Sequence, residues 1–274
     1  MKRFWVSLGL LAFIGVSFTA ATISVSPASA AACFSSFTNK TTAEGLGHPN
    51  VFGVYVDGST IYAATGYSGP GGLSISTNGG TSFDNRTVAN ATLGSNEVQG
   101  VYADGLNVYA ATDGGLSIST DGGASFTNKT TTNTGTPGLG SNNVHGVYVD
   151  GLNVYAATGG GLSISPNGGT TFNNYTTPAI GSNSVWGVYA VGLNVYAATS
   201  GGLSISTDGG ANFANRTTAN GLGNSRVNGV YVDGGTIYAA TDGGGLSIST
   251  DGGANFSTRT AANAGLGSNY LQGV

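Results

Sequence analysis

Among the twelve Asp and Glu residues of this sequence, Glu97, Asp113 and Asp242 are the candidates for acid–base or nucleophilic chemistry. Hydrolysis of a glycosidic bond uses two carboxyl groups at a fixed separation across the sugar. The positions of these residues along the chain do not establish such a pair, so no catalytic residue is assigned. With only His48 and His145 present, a metal site is poorly supported, and nothing predicts a cofactor.

A second set of acidic and amide side chains is periodic. The stretch Ser-Ile-Ser-Thr-Asp-Gly-Gly-Ala-Ser-Phe at 117–126 reads as a strand, a tight turn and a second strand. It recurs at 74–83, 163–172, 204–213 and 247–256. The acidic or amide residues of these turns are Asn78, Asp121, Asn167, Asp208 and Asp251. Asp and Asn can accept hydrogen bonds from nearby backbone N–H groups, and glycine supplies positive φ, so these five residues are predicted to be structural.

The whole chain after the N-terminal region is built from one repeat. Gly-Val-Tyr occurs at 53, 100, 146, 187 and 229, and a final Gly-Val at 273, which gives periods of 41–47 residues. Each unit carries four short strand signals, and none has a helical period. The sequence therefore predicts an all-β fold, a β-propeller of four-stranded antiparallel blades with five complete blades and part of a sixth. The expected blades cover about 50–87, 97–130, 143–176, 184–217 and 226–260.

Segments at both ends of the repeat region match parts of a blade. Residues 36–41 resemble a fourth strand, and residues 269–274 resemble the beginning of a first strand. We expect the natural protein to continue beyond Val274, because Tyr-Val-Asp-Gly should follow there.

The N-terminus has the order of a secretory signal peptide. Lys2 and Arg3 precede an apolar run from Phe4 to about Phe18, and Ala-Ser-Ala follows at 28–30. Cleavage is predicted after Ala30, which leaves residues 31–274 secreted, periplasmic or extracellular. An uncleaved membrane anchor is the alternative, and Cys33 is a weak candidate for lipid attachment.

Composition excludes some partners. Only 7% of the residues are charged and the formal net charge is −4, whereas nucleic-acid binding needs a clustered basic surface. No basic amphipathic stretch predicts contact with a membrane after signal cleavage. The regularly spaced cations Lys40, Arg86, Lys129, Arg216 and Arg259 fall on the outermost strands. There they are expected to protect exposed edges, although an anion-binding surface is the alternative.

The turn pattern Ser-x-Asp-x-Gly-x-Ser/Thr-aromatic, matched by Ser119, Asp121, Gly123, Ser125 and Phe126, resembles the Asp box, or BNR repeat. Secreted Asp-box propellers include sialidases, other glycosidases and photosystem II assembly propellers. The resemblance implies that the turns lie on the face opposite any active site. A sialidase-like site would use three arginines, a Tyr–Glu pair and an acidic Asp, but only Arg226 of the mature-chain arginines falls on that opposite face.

Residues that vary against the constant repeat are the predicted ligand-binding set. They precede the first strand of a unit or lie between its second and third strands, where the blades should meet a central channel. The set is Phe52, Tyr67, Glu97, Gln99, Asp113, His145, Trp186, Arg226, Asn228 and Asp242. Aromatic, amide and charged groups suit sugar or peptide binding, although they could equally cap strand ends in water.

These residues predict a secreted, non-catalytic binding or scaffold module for a glycan or an extracytoplasmic protein. The alternative is a glycoside hydrolase whose catalytic residues are partly missing from this chain. The sequence does not predict an oligomeric state.

Overall fold

The computed structural model describes residues 38–67, 69–132 and 138–274. The predicted signal peptide at 1–30, Cys33 and the start of the 36–41 segment lie outside the described residues. In the part of the chain that is described, no helix has the length and apolar character that a membrane span requires.

Five four-stranded antiparallel sheets follow one another along the chain, and we number them blades 1 to 5. Blade 1 consists of β1 (Val51–Asp57), β2 (Thr60–Thr65), β3 (Gly72–Ser76) and β4 (Asp84–Arg86). Blade 2 consists of β5 (Val98–Asp104), β6 (Asn107–Thr112), β7 (Gly115–Ser119) and β8 (Thr127–Lys129). Blade 3 consists of β9 (Val144–Asp150), β10 (Asn153–Thr158), β11 (Gly161–Ser165) and β12 (Asn173–Tyr175).

Blade 4 consists of β13 (Val185–Val191), β14 (Asn194–Thr199), β15 (Gly202–Ser206) and β16 (Ala214–Arg216). Blade 5 consists of β17 (Val227–Asp233), β18 (Thr236–Thr241), β19 (Gly245–Ser249) and β20 (Ser257–Arg259). In every blade the strands pair in sequence order, and the first strands of successive blades contact one another.

Short helical turns lie before blade 1, between some of the blades and after blade 5, a feature that the repeat pattern did not predict. They cover Thr42–Glu44, Val88–Ala91, Thr218–Asn220 and Ala261–Ala264. Each begins with a capping box, in which a Thr side chain accepts from the backbone and a Glu or Asn side chain three residues later accepts in return. The Thr-x-x-Glu/Asn spacing was the available sequence signal.

The segments compared with partial strands have no strand assignment where they are described, at 38–41 and 269–274. A strand is defined by the ladder that it forms with a neighbour, and neither segment pairs in that way with a described strand.

The core lies between the blades. In one cluster, Tyr62, Leu73 and Ile75 of blade 1 pack against residues of blade 2 that include Val98 and Phe126. Corresponding clusters join blades 2 and 3, 3 and 4, and 4 and 5. Blades 2, 3 and 4 therefore contribute one apolar face to the preceding interface and the other to the next, as expected of a repeat architecture.

A buried serine fixes the segment that leads into each inner strand. In blade 2, the Ser117 hydroxyl accepts from the Gly94 backbone N–H at 2.9 Å and donates to Asn128 Oδ1 at 3.1 Å. The Asn128 amide in turn donates to the Gly114 carbonyl at 2.8 Å. The same serine-to-glycine bond recurs in the other four blades. These bonds hold the approach to β5, along which variable residues such as Gln99 project.

The repeated turn between the third and fourth strands is closed by its own side chains. In blade 2, Ser119 Oγ donates to Asp121 Oδ1 at 2.6 Å and accepts from the Gly123 N–H at 2.8 Å. Ser125 donates from its backbone N–H to Asp121 Oδ1 and from its hydroxyl to Oδ2. Asn78 and Asn167 accept the corresponding backbone N–H through Oδ1, while their Nδ2 groups donate to Ser82 and Thr171. The hydrogen-bonding capacity of these residues is thus directed into the turn.

These bonds stabilise the ionised turn aspartates. Hydrogen bonds from Ser119 and Ser125 hold the pKa of Asp121 well below its usual range, and bonds from Asn212 lower the pKa of Asp208 to about 2. Because the folded-state pKa is depressed, the stabilisation is present above the unfolded-state value of about 4 and is lost as the pH falls through the folded-state value.

We therefore expect Asp121→Asn to reduce the loss of stability as the pH falls below about 4, because Asn with Ser125 reproduces the Asn78–Ser82 pair without a titrating group. Urea unfolding at a series of pH values measures this. Asp121→Ala is the contrasting variant, since it removes the turn hydrogen bonds as well as the charge and should destabilise at neutral pH. An unchanged acid dependence in Asp121→Asn would contradict the assignment.

Two of the outer-strand arginines contact the neighbouring blade. Arg86 donates from Nε to the Gly123 carbonyl at 3.0 Å, and Arg216 does the same to the Gly253 carbonyl at 2.6 Å. Each bond joins the outer strand of one blade to the repeated turn of the next. These two side chains therefore have an interblade role in addition to any protection of strand edges.

Candidate functional site

The variable residues meet at one end of the channel between the blades. The repeated turns lie at the other end, next to the turns between the first and second strands. In blade 2, the Gly122 N–H of the repeated turn donates to the Leu106 carbonyl of the β5–β6 turn at 2.9 Å. Along β5, Gln99 stands at the start of the strand and Asp104 at its end. The variable residues at the starts of the first strands and the repeated turns are therefore at opposite ends of each blade.

A cavity of about 570 Å³ occupies this end of the channel, and we call it the mouth cavity. Every blade and the segment after blade 5 contribute to its wall. It is lined by Val51, Phe52, Gln99, His145, Trp186, Arg226, Asn228 and Gln272. Six of the ten predicted ligand-binding residues are thus brought together: Phe52, Gln99, His145, Trp186, Arg226 and Asn228.

Three side chains from successive blades form a stack in the cavity wall. The rings of His145 and Trp186 have centroids 4.4 Å apart and an interplanar angle of 18°. The Arg226 Cζ atom lies 4.6 Å from the centroid of the Trp186 ring, within the range of a cation–π contact. His145 comes from the preceding blade and Arg226 from the following one, so Trp186 connects three blades at the cavity wall.

Polar contacts fix the orientation of each member of the stack. The Trp186 indole N–H donates to Ser200 Oγ at 2.9 Å. His145 Nδ1 lies 2.7 Å from the Val185 carbonyl. Since a carbonyl oxygen can only accept, Nδ1 carries the hydrogen, which leaves Nε2 of the neutral ring as an acceptor.

Arg226 is the electrostatic centre of the mouth cavity. Its Nε atom lies 3.4 Å from Asp242 Oδ2 and donates to Asn228 Oδ1 at 3.3 Å. The Asn228 amide donates to the Leu271 carbonyl at 2.8 Å. The Arg226 side chain is 45% exposed, so this ion pair orients the guanidinium more than it stabilises the fold.

The other predicted residues surround the cavity without lining it. Asp242 contacts the lining residue Arg226, and Asp113 accepts a hydrogen bond from Nε2 of the lining residue Gln99 at 3.3 Å. The Glu97 carbonyl accepts from the Asp113 N–H at 3.3 Å, which places these two acidic residues side by side in blade 2. Tyr67 is an exposed loop residue with φ +153° and is not part of the lining.

Val51, Gln272 and Ser200 are additional residues of the site. Gln272 occupies the same place before Gly-Val as Gln99 and His145, and this position is the sequence signal for its place in the site. Val51 is exposed only because blade 1 has no preceding blade beside it in the described structure, which its sequence context does not reveal. The described residues contain no cluster of three or more His, Cys, Asp or Glu that could hold a metal ion.

Solved structures share this arrangement of blades. The extracellular domain of a putative hybrid two-component system from B. thetaiotaomicron matches with a TM-score of 0.65 and 22% identity, over 80% of this chain and 31% of that chain. An ancestral GH74 enzyme matches with a TM-score of 0.57 and 21% identity, over 72% of this chain and 29% of the enzyme. YCF48 bound to D1 peptide matches with a TM-score of 0.55 and 16% identity, over 80% and 70%.

The chain is a β-propeller. The predicted all-β fold of four-stranded antiparallel blades is thereby confirmed. No family model matches the propeller, and no curated protein matches it. At these identities the similarity shows the fold alone, and the propeller spans less than a third of the first two structures that it matches.

Proposed function

We propose that this propeller is a secreted, non-catalytic binding or scaffold module of the Asp-box type, which takes a glycan or a protein ligand at the mouth cavity. One observation carries the proposal. Six variable residues, scattered over five near-identical blades, line a single cavity whose size is typical of a ligand site. Loops and strand ends that vary on a rigid scaffold are the usual place for recognition.

The chemistry of the lining supports binding of a polar ligand with apolar parts. Phe52 is 45% exposed and offers an apolar surface. Arg226 donates from Nε to Asn228 and lies beside Asp242, and its guanidinium has further N–H donors that a ligand can use. His145 Nε2 supplies an acceptor. A peptide or an oligosaccharide presents matching carbonyl or hydroxyl groups beside apolar surface.

The positions of the carboxylates favour binding over catalysis. Asp113 and Asp242 stand behind Gln99 and Arg226 and are not part of the cavity wall. The glycoside hydrolase alternative requires two carboxyl groups that face each other across a bound sugar. Because a GH74 enzyme is among the structural neighbours, the test of the proposal includes an assay for glycoside hydrolysis.

Secretion is part of the same proposal, and it depends on the predicted signal peptide at 1–30. Extracellular propeller domains occur among the structural neighbours, and the YCF48 structure contains a bound peptide. A glycan or an extracytoplasmic protein is therefore the ligand class that we propose, with no nucleic-acid partner.

The test is a glycan array and a peptide array probed with the secreted protein. For the tightest ligand found, we expect Phe52→Ala and Arg226→Ala to raise the Kd at least about tenfold, which corresponds to 1.4 kcal/mol. Arg259→Ala is the matched control, because it removes an exposed arginine from the outer strand of the same blade. Isothermal titration with the three variants measures the difference.

An equal loss of affinity in Arg259→Ala and Arg226→Ala would place binding away from the mouth cavity. A panel of fluorogenic sialosides and glucosides tests the alternative. Turnover that disappears in Glu97→Gln or Asp242→Asn would establish a hydrolase and overturn the binding-module proposal.

A further inference from the structure

Five tyrosines, one from the first strand of each blade, form a continuous row of aromatic rings across the blades. They stand three residues after the variable residue at the start of the strand, and they are Tyr55, Tyr102, Tyr148, Tyr189 and Tyr231. Each ring contacts the ring of the next blade, with centroid separations of 4.8, 5.3, 4.7 and 5.2 Å in chain order. None of them lines the mouth cavity, so this tyrosine row is a separate feature of the described blades.

The spacing within the tyrosine row alternates, so that it contains two close pairs. Tyr55 and Tyr102 are 4.8 Å apart with an interplanar angle of 43°, and Tyr148 and Tyr189 are 4.7 Å apart with an angle of 45°. The two intervening contacts are wider and closer to edge-on, with angles of 64° and 68°. One close pair therefore joins blade 1 to blade 2, the other joins blade 3 to blade 4, and Tyr231 belongs to neither.

The phenols of the close pairs are half-buried and protonated at neutral pH. Burial, and after it the adjacent Tyr55 phenol, raise the pKa of Tyr102 well above its usual range. Burial and the adjacent Tyr189 phenol do the same to the pKa of Tyr148. One-electron oxidation of such a phenol releases a proton together with the electron, and the partial exposure of the rings lets solvent accept it. The resulting radical is held in contact with a second phenol.

Packing alone does not account for a hydroxyl at this position of the repeat. Tyr55 and Tyr102 pack against the apolar clusters between their own blade and the next, a contact that a phenyl ring would also make. The hydroxyl is the group that makes such a ring readily oxidised. The chain has one cysteine, Cys33, so no disulfide within it can join two blades. A covalent link between these blades therefore requires another pair of side chains.

We propose that the two close pairs are sites of dityrosine formation, at which a one-electron oxidant, such as the ferryl haem of a peroxidase, joins neighbouring blades covalently. Each phenol of a pair loses one electron to the oxidant and one proton to solvent. The two phenoxyl radicals couple between the ring carbons next to the oxygens, which forms one C–C bond. The hydrogens on those two carbons then move to the oxygens and restore both phenols. Each link thus removes two hydrogen atoms from the chain and reduces two equivalents of oxidant.

The test exposes the dilute, folded protein to photo-oxidised ruthenium tris-bipyridine, with persulfate as the electron acceptor. Cleavage on the amino side of aspartate then places the four paired tyrosines in four different peptides, because Asp57, Asp104 and Asp150 lie between them. Mass spectrometry should find two linked peptide pairs, Tyr55 with Tyr102 and Tyr148 with Tyr189, each lighter by two hydrogen atoms than its separate peptides. The urea midpoint of the linked protein should rise, because each link restricts the unfolded chain.

Phenylalanine variants keep the ring and remove only the oxidisable group. Tyr102→Phe should lose the first link and retain the second, and Tyr148→Phe should do the reverse. Tyr231→Phe is the matched control, because it removes a phenol of the same row that lies outside both pairs, and it should retain both links. Links formed mainly across the wider contacts, or between two chains, would overturn the proposal. So would the absence of both links under conditions that dimerise free N-acetyltyrosine. Neither result depends on ligand binding at the mouth cavity.

Discussion

Replacement of Leu162 by Ala is expected to lower the free energy of unfolding by about 2–5 kcal/mol. Leu162 is fully buried in β11 and belongs to the cluster in which blade 3 packs against Val185 and Val195 of blade 4. Truncation removes apolar contact area and leaves a cavity that short, paired strands cannot easily collapse to fill. Urea unfolding monitored by circular dichroism measures the loss.

Leu152→Ala is the matched control for this prediction. Leu152 lies in the turn between the first and second strands of the same blade and is 72% exposed. Its replacement should change the free energy of unfolding by no more than about 0.5 kcal/mol. Similar effects of the two substitutions would contradict the assignment of the core to the space between blades.

The repeat pattern predicted the fold because the same residue types recur at the same strand and turn positions in every blade. Tyr109, Leu116 and Phe126 recur at fixed positions in each unit, and all three are buried between blades. The pattern did not predict which copies would be exposed. Val56 and Val149 have the same sequence neighbours, so only the presence of an adjoining blade distinguishes them.

The candidate site was predictable in position but not in arrangement. Departure from the repeat identified Trp186 and Arg226, because a constant scaffold makes each variable residue visible. Their stacking with His145 was not predictable, since it depends on the angle between blades and on rotamers held by Ser200 and Asp242. For the same reason, the sequence could not show that Asp242 contacts Arg226 rather than the cavity.

Each of the turn glycines Gly123, Gly169, Gly210 and Gly253 lies against an isoleucine side chain of the preceding blade, and Gly169 tests this contact. Gly169 has φ +84°, and a Cβ atom there would lie 2.4 Å from Ile118 Cδ1 of the preceding blade. Gly169→Ala should therefore incur a left-handed backbone cost of about 1–2 kcal/mol. Overpacking against Ile118, which packs on the cluster around Phe172, should add about 1–3 kcal/mol. The urea midpoint is the measurement.

Gly80→Ala separates these two contributions. Gly80 has φ +83°, nearly the same backbone strain, but its Cβ atom would meet only Ile61 Cδ1 at 3.3 Å. Gly80→Ala should therefore show the backbone cost without most of the overpacking. Ile118→Val removes the clashing methyl group, and on its own it should cost about 0.5–1.5 kcal/mol. Combined with Gly169→Ala it should cost less than that, because relief of the clash offsets the lost methyl group. Strict additivity in this double-mutant cycle would show that the isoleucine does not occupy the space above the turn glycine.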